Sequence, residues 1–201
     1  VKRLKRKNLY DRLFDLIYDR LKKNCEKLQL PVRQRAKFEN WLKIELFYSI
    51  WQKLLHRNHN SEIRIEESYP KKKKLRCDIF FAPSRRRHVY LELKTINTSY
   101  DCNSNLIPKK TKPIADNVES IIEASERLRN FTKKRDEKIV AFVVYPLCKE
   151  KLGNWQKHES KINEQGFLKE IHHQDIKLFS NDKRIFMRFY LYQVFTKNQK
   201  Y

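Results

Sequence analysis

The chain has 201 residues, 40% of them apolar, which suits one domain or one domain with an appended helical segment. Lysine and arginine number 46 against 24 acids, a formal charge of +22, and the commonest polyanion such a field meets is nucleic acid. Two glycines (Gly153 and Gly166) are too few for a phosphate-cradling loop, no apolar run reaches the roughly 18 residues of a membrane span, and the cysteines at 25, 77, 102 and 148 form no Cys-x-x-Cys pair that would suggest a zinc or iron–sulfur site.

The basic run Lys2 to Lys7 lacks the apolar stretch of a signal peptide and reads as a phosphate-binding arm or a solubility tail. Leu9, Leu13, Leu16, Ile17 and Leu21 recur at helical spacing, which predicts an amphipathic helix over 9–28. Pro31 predicts a break, and a second helix follows over 33–56. Between Trp41 and Leu55 that helix is apolar nearly all round and is expected to be buried. Glu45 stands inside it, on the face of Phe38, Trp41 and Leu42, and a carboxylate buried there needs a cation or a donor.

Residues 62–69, 75–82 and 88–96 predict three successive strands, rich in Ile, Val, Phe and Tyr and joined by short charged connections. The polar stretch Asn97 to Pro113 has the length of a functional or mobile loop and carries Lys109, Lys110 and Lys112. Helical spacing returns over Ile114 to Phe131, and the continuous apolar run 138–145 predicts a central strand covered on both faces. A short helix from about Asn154, weak strands over 168–172 and 176–179, and an aromatic strand over 185–195 complete the chain. The fold class is α/β, a mixed central sheet flanked by helices, with 1–30 as a basic helical segment and 31–201 as the main domain.

The hairpin of strands 75–82 and 88–96 concentrates the chemistry. Symmetric pairing about its turn sets residue 80 opposite 90 and Asp78 opposite Glu92. The odd positions Leu75, Cys77, Ile79, Phe81, Val89, Leu91 and Leu93 then form an apolar core face, and Asp78, Glu92 and Lys94 share the other. Directly opposed carboxylates repel, and a divalent ion with oxygen ligands neutralises them. Lys94, two residues beyond Glu92, is placed to orient or deprotonate a water beside such an ion. An acid two residues before a lysine occurs four times, at Glu92, Asp136, Glu159 and Asp175, and only Glu92 has an acid across a hairpin from it.

These residues resemble the motif of the PD-(D/E)xK, or restriction-endonuclease-like, nuclease superfamily. Asp78, thirteen intervening residues and then Glu92-Leu93-Lys94 match it, with Glu45 on the preceding helix and Cys77 where a proline is common. The resemblance spans about 33–145 and implies that superfamily's core. By it, Asp78, Glu92, the carbonyl of Leu93 and Glu45 hold Mg²⁺ or Mn²⁺, Lys94 positions the attacking water, and the reaction is phosphodiester hydrolysis. The helix 114–131 has no Gln or Tyr, so the branch marked by Gln-x-x-x-Tyr there is not indicated.

Lys71 to Lys74 and Lys109, Lys110 and Lys112 fall at the end of the hairpin towards which Lys94 points, and are the expected phosphate contacts. His172 and His173, late in the chain, are expected as surface or core residues rather than ligands. The partner expected is nucleic acid, DNA above all, with no membrane, an intracellular, cytoplasmic and nucleoid-associated location, and a homodimer where both strands are cut. The competing expectation is a module that keeps the nuclease fold and binds nucleic acid without cleaving it.

Overall fold

A computed structural model of the chain describes residues 8–56, 59–100, 102, 112–178 and 185–196. Asn8 caps the first helix, α1 (Leu9–Lys23), by accepting a hydrogen bond from the Asp11 N–H at 2.9 Å. Leu13, Ile17 and Leu21 line one stripe of α1 and are wholly buried, so this helix belongs to the core.

The chain next breaks at Asn24, where the sequence predicts a continuous helix to 28. A second helix, α2 (Cys25–Arg33), contains Pro31 within it instead of ending there. The real stop comes after Arg33. Ala36 N–H bonds to Pro31 O and Arg35 N–H to Val32 O, with Arg35 at φ 51°. This is a Schellman closure whose left-handed position carries arginine where glycine is usual, so composition gave no stop signal. Side-chain bonds from Arg35 to the carbonyls of Thr98 and Tyr100, at 3.3 and 3.4 Å, hold that turn against the sheet.

The third helix, α3 (Glu39–Ile50), continues as a π-helical turn over Trp51–Leu55. It buries Leu42, Leu46 and Ile50 on one face and leaves Ile44, Tyr48 and Trp51 exposed on the opposite one. The expectation of a helix buried all round is thus corrected: only one flank meets the sheet.

Among the described residues six strands form one mixed sheet: β1 (Glu62–Tyr69), β2 (Lys72–Ser84), β3 (Arg87–Asn97), β4 (Glu137–Cys148), β5 (Leu168–Lys177) and β6 (Ile185–Val194), in the order β1-β2-β3-β4-β6-β5. Of these six strands only the neighbours β3 and β4 run parallel, and a helix, α4 (Ile114–Phe131), provides the crossover that a parallel pair requires. Lys138 to Cys148 are buried without interruption, as the apolar run predicts for a central strand. The two weak strand signals near the end merge into β5, whose register shifts between Glu170 and His172.

Helices α1–α3 cover one face of the sheet, packing on Ile79, Phe81, Leu91 and Leu93. Helix α4 and a fifth helix, α5 (Leu152–Asn163), cover the other, over Phe80, Tyr90, Phe142 and Tyr190. Among the described residues no helix is long and apolar enough to cross a membrane.

Candidate active site

The β2–β3 register is the one symmetric pairing predicts: Phe80 faces Tyr90, Phe81 faces Val89 and Ile79 faces Leu91. The paired ladder stops at Ile79 and Leu91, so Asp78 and Glu92 stand just beyond it, where the strands part. Leu93 and Thr95, two residues apart, direct their N–H groups the same way, into that gap. Carboxylates take them in place of a strand. Asp78 Oδ2 accepts from Leu93 N–H at 2.8 Å, and Glu39 Oε2 accepts from Thr95 N–H at 3.1 Å.

The opposite edge of β2 is distorted at the same level. Glu66 on β1 lies across from Asp78, between the pairs Ile65–Ile79 and Glu67–Cys77, and has φ 54°. A non-glycine residue occupies that left-handed region only at a cost. The face alternation slips at this point. Ile79 packs under α1–α3, whereas Cys77 and Leu75 join the core under α4 and α5. The expected single apolar face from Leu75 to Leu93 is therefore corrected: it begins at Ile79.

Side chains from both layers converge on this gap. Lys94 Nζ lies 3.7 Å from Glu39 Oε1, 3.8 Å from Glu92 Oε2 and 3.9 Å from Asp78 Oδ2. Lys43, one turn after Glu39 on α3, is 2.7 Å from Asp78 Oδ1 and also bonds Glu66. From the other layer Arg127 on α4 comes within 3.6 Å of Glu92 Oε2, and the Tyr69 hydroxyl donates to Glu92 Oε1. Lys43 is held above its ordinary range because Asp78 and Glu66 outweigh the opposing effect of burial. Burial, reinforced by the charge of Glu92, raises the Tyr69 hydroxyl far above its usual value, which keeps it a donor.

Glu92 is only 2% exposed, and its carboxyl is pushed up to about 7 by burial first and by the charge of Asp78 second. Tyr69, Lys94 and Arg127 pull it back without compensating fully. Counting Glu39, Glu66, Asp78 and Glu92 against Lys43, Lys94 and Arg127, the cluster carries one more carboxylate than cation. The carboxylate oxygens of Asp78 and Glu92 are donors of the kind a hard divalent cation such as Mg²⁺ or Mn²⁺ takes.

Asp78, Glu92 and Lys94 meet as the sequence predicts. Glu45 does not join them. It is half-exposed on the flank of α3 and lies 3.7 Å from Arg20 of α1. The acid that α3 delivers is Glu39, because α3 begins at Glu39 and presents its first turn to the gap, with Glu45 nearly two turns further along. Leu93 is present at the site through its N–H, bonded to Asp78.

Of the expected phosphate contacts, Lys71 is tied to the end of α4, its Nζ 3.5 Å from Asn130 O, while Lys72, Lys73 and Lys74 are exposed at the start of β2. Lys112 is exposed beside the first turn of α4, and Lys109 and Lys110 lie outside the described residues. Glu39, Lys43, Tyr69, Arg127 and Glu66 join the site beyond the residues that the sequence predicts for it. The i,i+4 spacing of Glu39 and Lys43 at a helix start was the one signal available for any of them.

The other acid-x-lysine triplets have ordinary structural roles or none in this cluster. Asp136 accepts from the Lys133 N–H at 2.8 Å, and the buried Lys138 ammonium bonds the Asp136 carbonyl at 2.6 Å. Asp175 pairs with Arg188 at 2.6 Å. Glu159, Glu170 and His173 bring three ligand-type atoms within 4.8 Å of one another, on α5 and β5. His172 pairs with Asp11 at 2.8 Å.

No family model, no curated protein and no solved structure matches the chain.

Proposed function

We propose that the protein is a metal-dependent nuclease with a restriction-endonuclease-like core, acting on DNA. The observation that carries the reading is the Lys94 ammonium lying 3.7–3.9 Å from three carboxylates at a break between two strands. The order α3, β1, β2, β3, α4, β4 supports it, since a helix, three strands, a helix and a strand make up that core.

Asp78 and Glu92, with the carbonyl of Leu93, would hold Mg²⁺ or Mn²⁺. The ion, when bound, supplies Lewis acidity toward the scissile phosphate and lowers the pKa of a coordinated water. The protein's own groups set the geometry. Tyr69 and Arg127 fix the Glu92 carboxylate, and Leu93 N–H and Lys43 fix that of Asp78. Glu39 is tethered to Thr95 and faces Lys94, so it holds the ammonium where a water attacking a phosphodiester would be oriented. The net charge of +22 draws the polyanion in.

A second reading has one observation in its favour. Lys43 lies 2.7 Å from Asp78 and can neutralise it without an ion, as in a nuclease-fold module that binds nucleic acid but does not cut it. Supercoiled plasmid incubated with Mg²⁺ or Mn²⁺, with and without EDTA, beside Lys94→Ala, separates the two. Metal-dependent nicking that disappears in Lys94→Ala is the expected result. Tight, salt-sensitive binding with no cleavage in either metal would establish the module instead.

A further inference from the structure

A cavity of about 600 Å³ opens beside the cluster just described, between the end of α2 and the start of α3. This lies within the roughly 300–1,000 Å³ usual for small-molecule pockets. Leu28, Phe38 and Trp41 give it apolar and aromatic walls, Lys27 and Lys37 are exposed cations on it, and Glu39 also lines it. Glu39 is the same residue that bonds Thr95 N–H and faces Lys94, so cavity and cluster share a side chain. The Trp41 ring is partly exposed and is braced edge-on by Phe38, whose other neighbour is Tyr145 at 4.8 Å, near the carboxyl end of β4. Two of its lining residues thus reach β3 and β4, the parallel pair, towards their carboxyl ends, the end at which α/β sheets collect ligands.

We propose that this cavity holds one unpaired nucleobase of the strand whose phosphodiester lies at Asp78, Glu92 and Lys94, so that the substrate is single-stranded or locally unpaired. The inference rests on the nuclease reading and narrows its substrate. An aromatic wall offers a base a stacking surface without selecting among bases. Lys27 and Lys37 match the phosphates on either side of such a base, and the Asn40 amide on the same cavity offers both a donor and an acceptor to its edge. A base inside an intact duplex is stacked on its neighbours and reaches a pocket of this kind only after extrusion, which duplex substrates resist and frayed or single strands do not.

The test is run in EDTA, so that no strand is cut. Binding of a fluorescent single-stranded oligonucleotide and of its blunt duplex is measured by anisotropy for the wild type, Trp41→Ala and Trp41→Phe. A single strand carrying 5-iodouracil is photocrosslinked to the wild type and the adduct mapped by mass spectrometry. Trp41→Ala is expected to weaken single-strand binding about tenfold and leave duplex binding unchanged, with Trp41→Phe near wild type. Crosslinks are expected within residues 37–41. Single-strand affinity unchanged in Trp41→Ala, or crosslinks confined elsewhere, overturns the pocket. The plasmid assay reads the nuclease separately. Lys94-dependent cleavage with crosslinks elsewhere removes the pocket alone, whereas Trp41-dependent binding with no cleavage of either strand form removes the nuclease reading and this substrate assignment with it.

Discussion

Replacing Glu92 by glutamine removes a charge that the fold holds at a cost, and the cost can be worked out. In the metal-free protein the carboxyl rises from the ordinary 4.5 to about 7, chiefly through burial, which corresponds to about 3 kcal/mol. Between those two values the folded state binds more protons than the unfolded state, so stability falls as pH rises. The contribution of protonated Glu92 is fully present below 4.5 and is lost as pH rises through about 7. Glutamine keeps the size of the side chain and an amide oxygen to accept from Tyr69, and it never ionises. Urea denaturation followed by circular dichroism in EDTA should therefore show Glu92→Gln close to wild type at pH 4.5 and more stable by about 3 kcal/mol at pH 8. Adding Mn²⁺ at pH 8 should raise the stability of the wild type and leave Glu92→Gln nearly unmoved. A variant less stable than wild type at pH 8, or a gap that does not change with pH, refutes the account of Glu92 as an undercompensated buried carboxylate.

The two helical glutamates give a paired comparison. Glu39→Gln should lower the plasmid cleavage rate about a hundredfold by loosening Lys94, while Glu45→Gln, which only breaks a half-exposed pair with Arg20, should stay within about twofold. Lys43→Met leaves the Asp78 carboxylate short of its nearest cation and should cost about 3 kcal/mol in EDTA, with a divalent ion restoring part of that in the same urea titration. Ile17→Ala, at a wholly buried position on α1, should destabilise by about 2–5 kcal/mol by thermal or urea unfolding, whereas a helix merely appended to the domain would tolerate it.

What the sequence determined by itself was whatever depends on period and neighbourhood. The two-residue alternation of strands 75–82 and 88–96 and their short turn were enough to set residue 80 opposite 90, and hence to bring Asp78, Glu92 and Lys94 to one level. The uninterrupted apolar run at 138–145 announced the central strand β4.

Tertiary structure decided the rest, for reasons that leave no local trace. The helix α2 stops at a left-handed Arg35 that is held by carbonyls over sixty positions away in sequence, so neither Pro31 nor a glycine could mark its end. Apolar residues on nearly every side of 41–55 leave the buried flank of α3 undefined by period alone, so the sequence sets Glu45 with Phe38, Trp41 and Leu42. It is instead the first turn of α3 that delivers an acid, Glu39, to the site. The ladder between β2 and β3 opens just where Asp78 and Glu92 would have paired, leaving the N–H groups of Leu93 and Thr95 for carboxylates to satisfy. Strand periodicity assumes the ladder continues, so it could not foresee that opening. The cations of the site also come from separate elements, Lys43 from α3 and Arg127 from α4, on opposite faces of the sheet. Their meeting is a property of layer packing around the gap, and sequence spacing does not encode it.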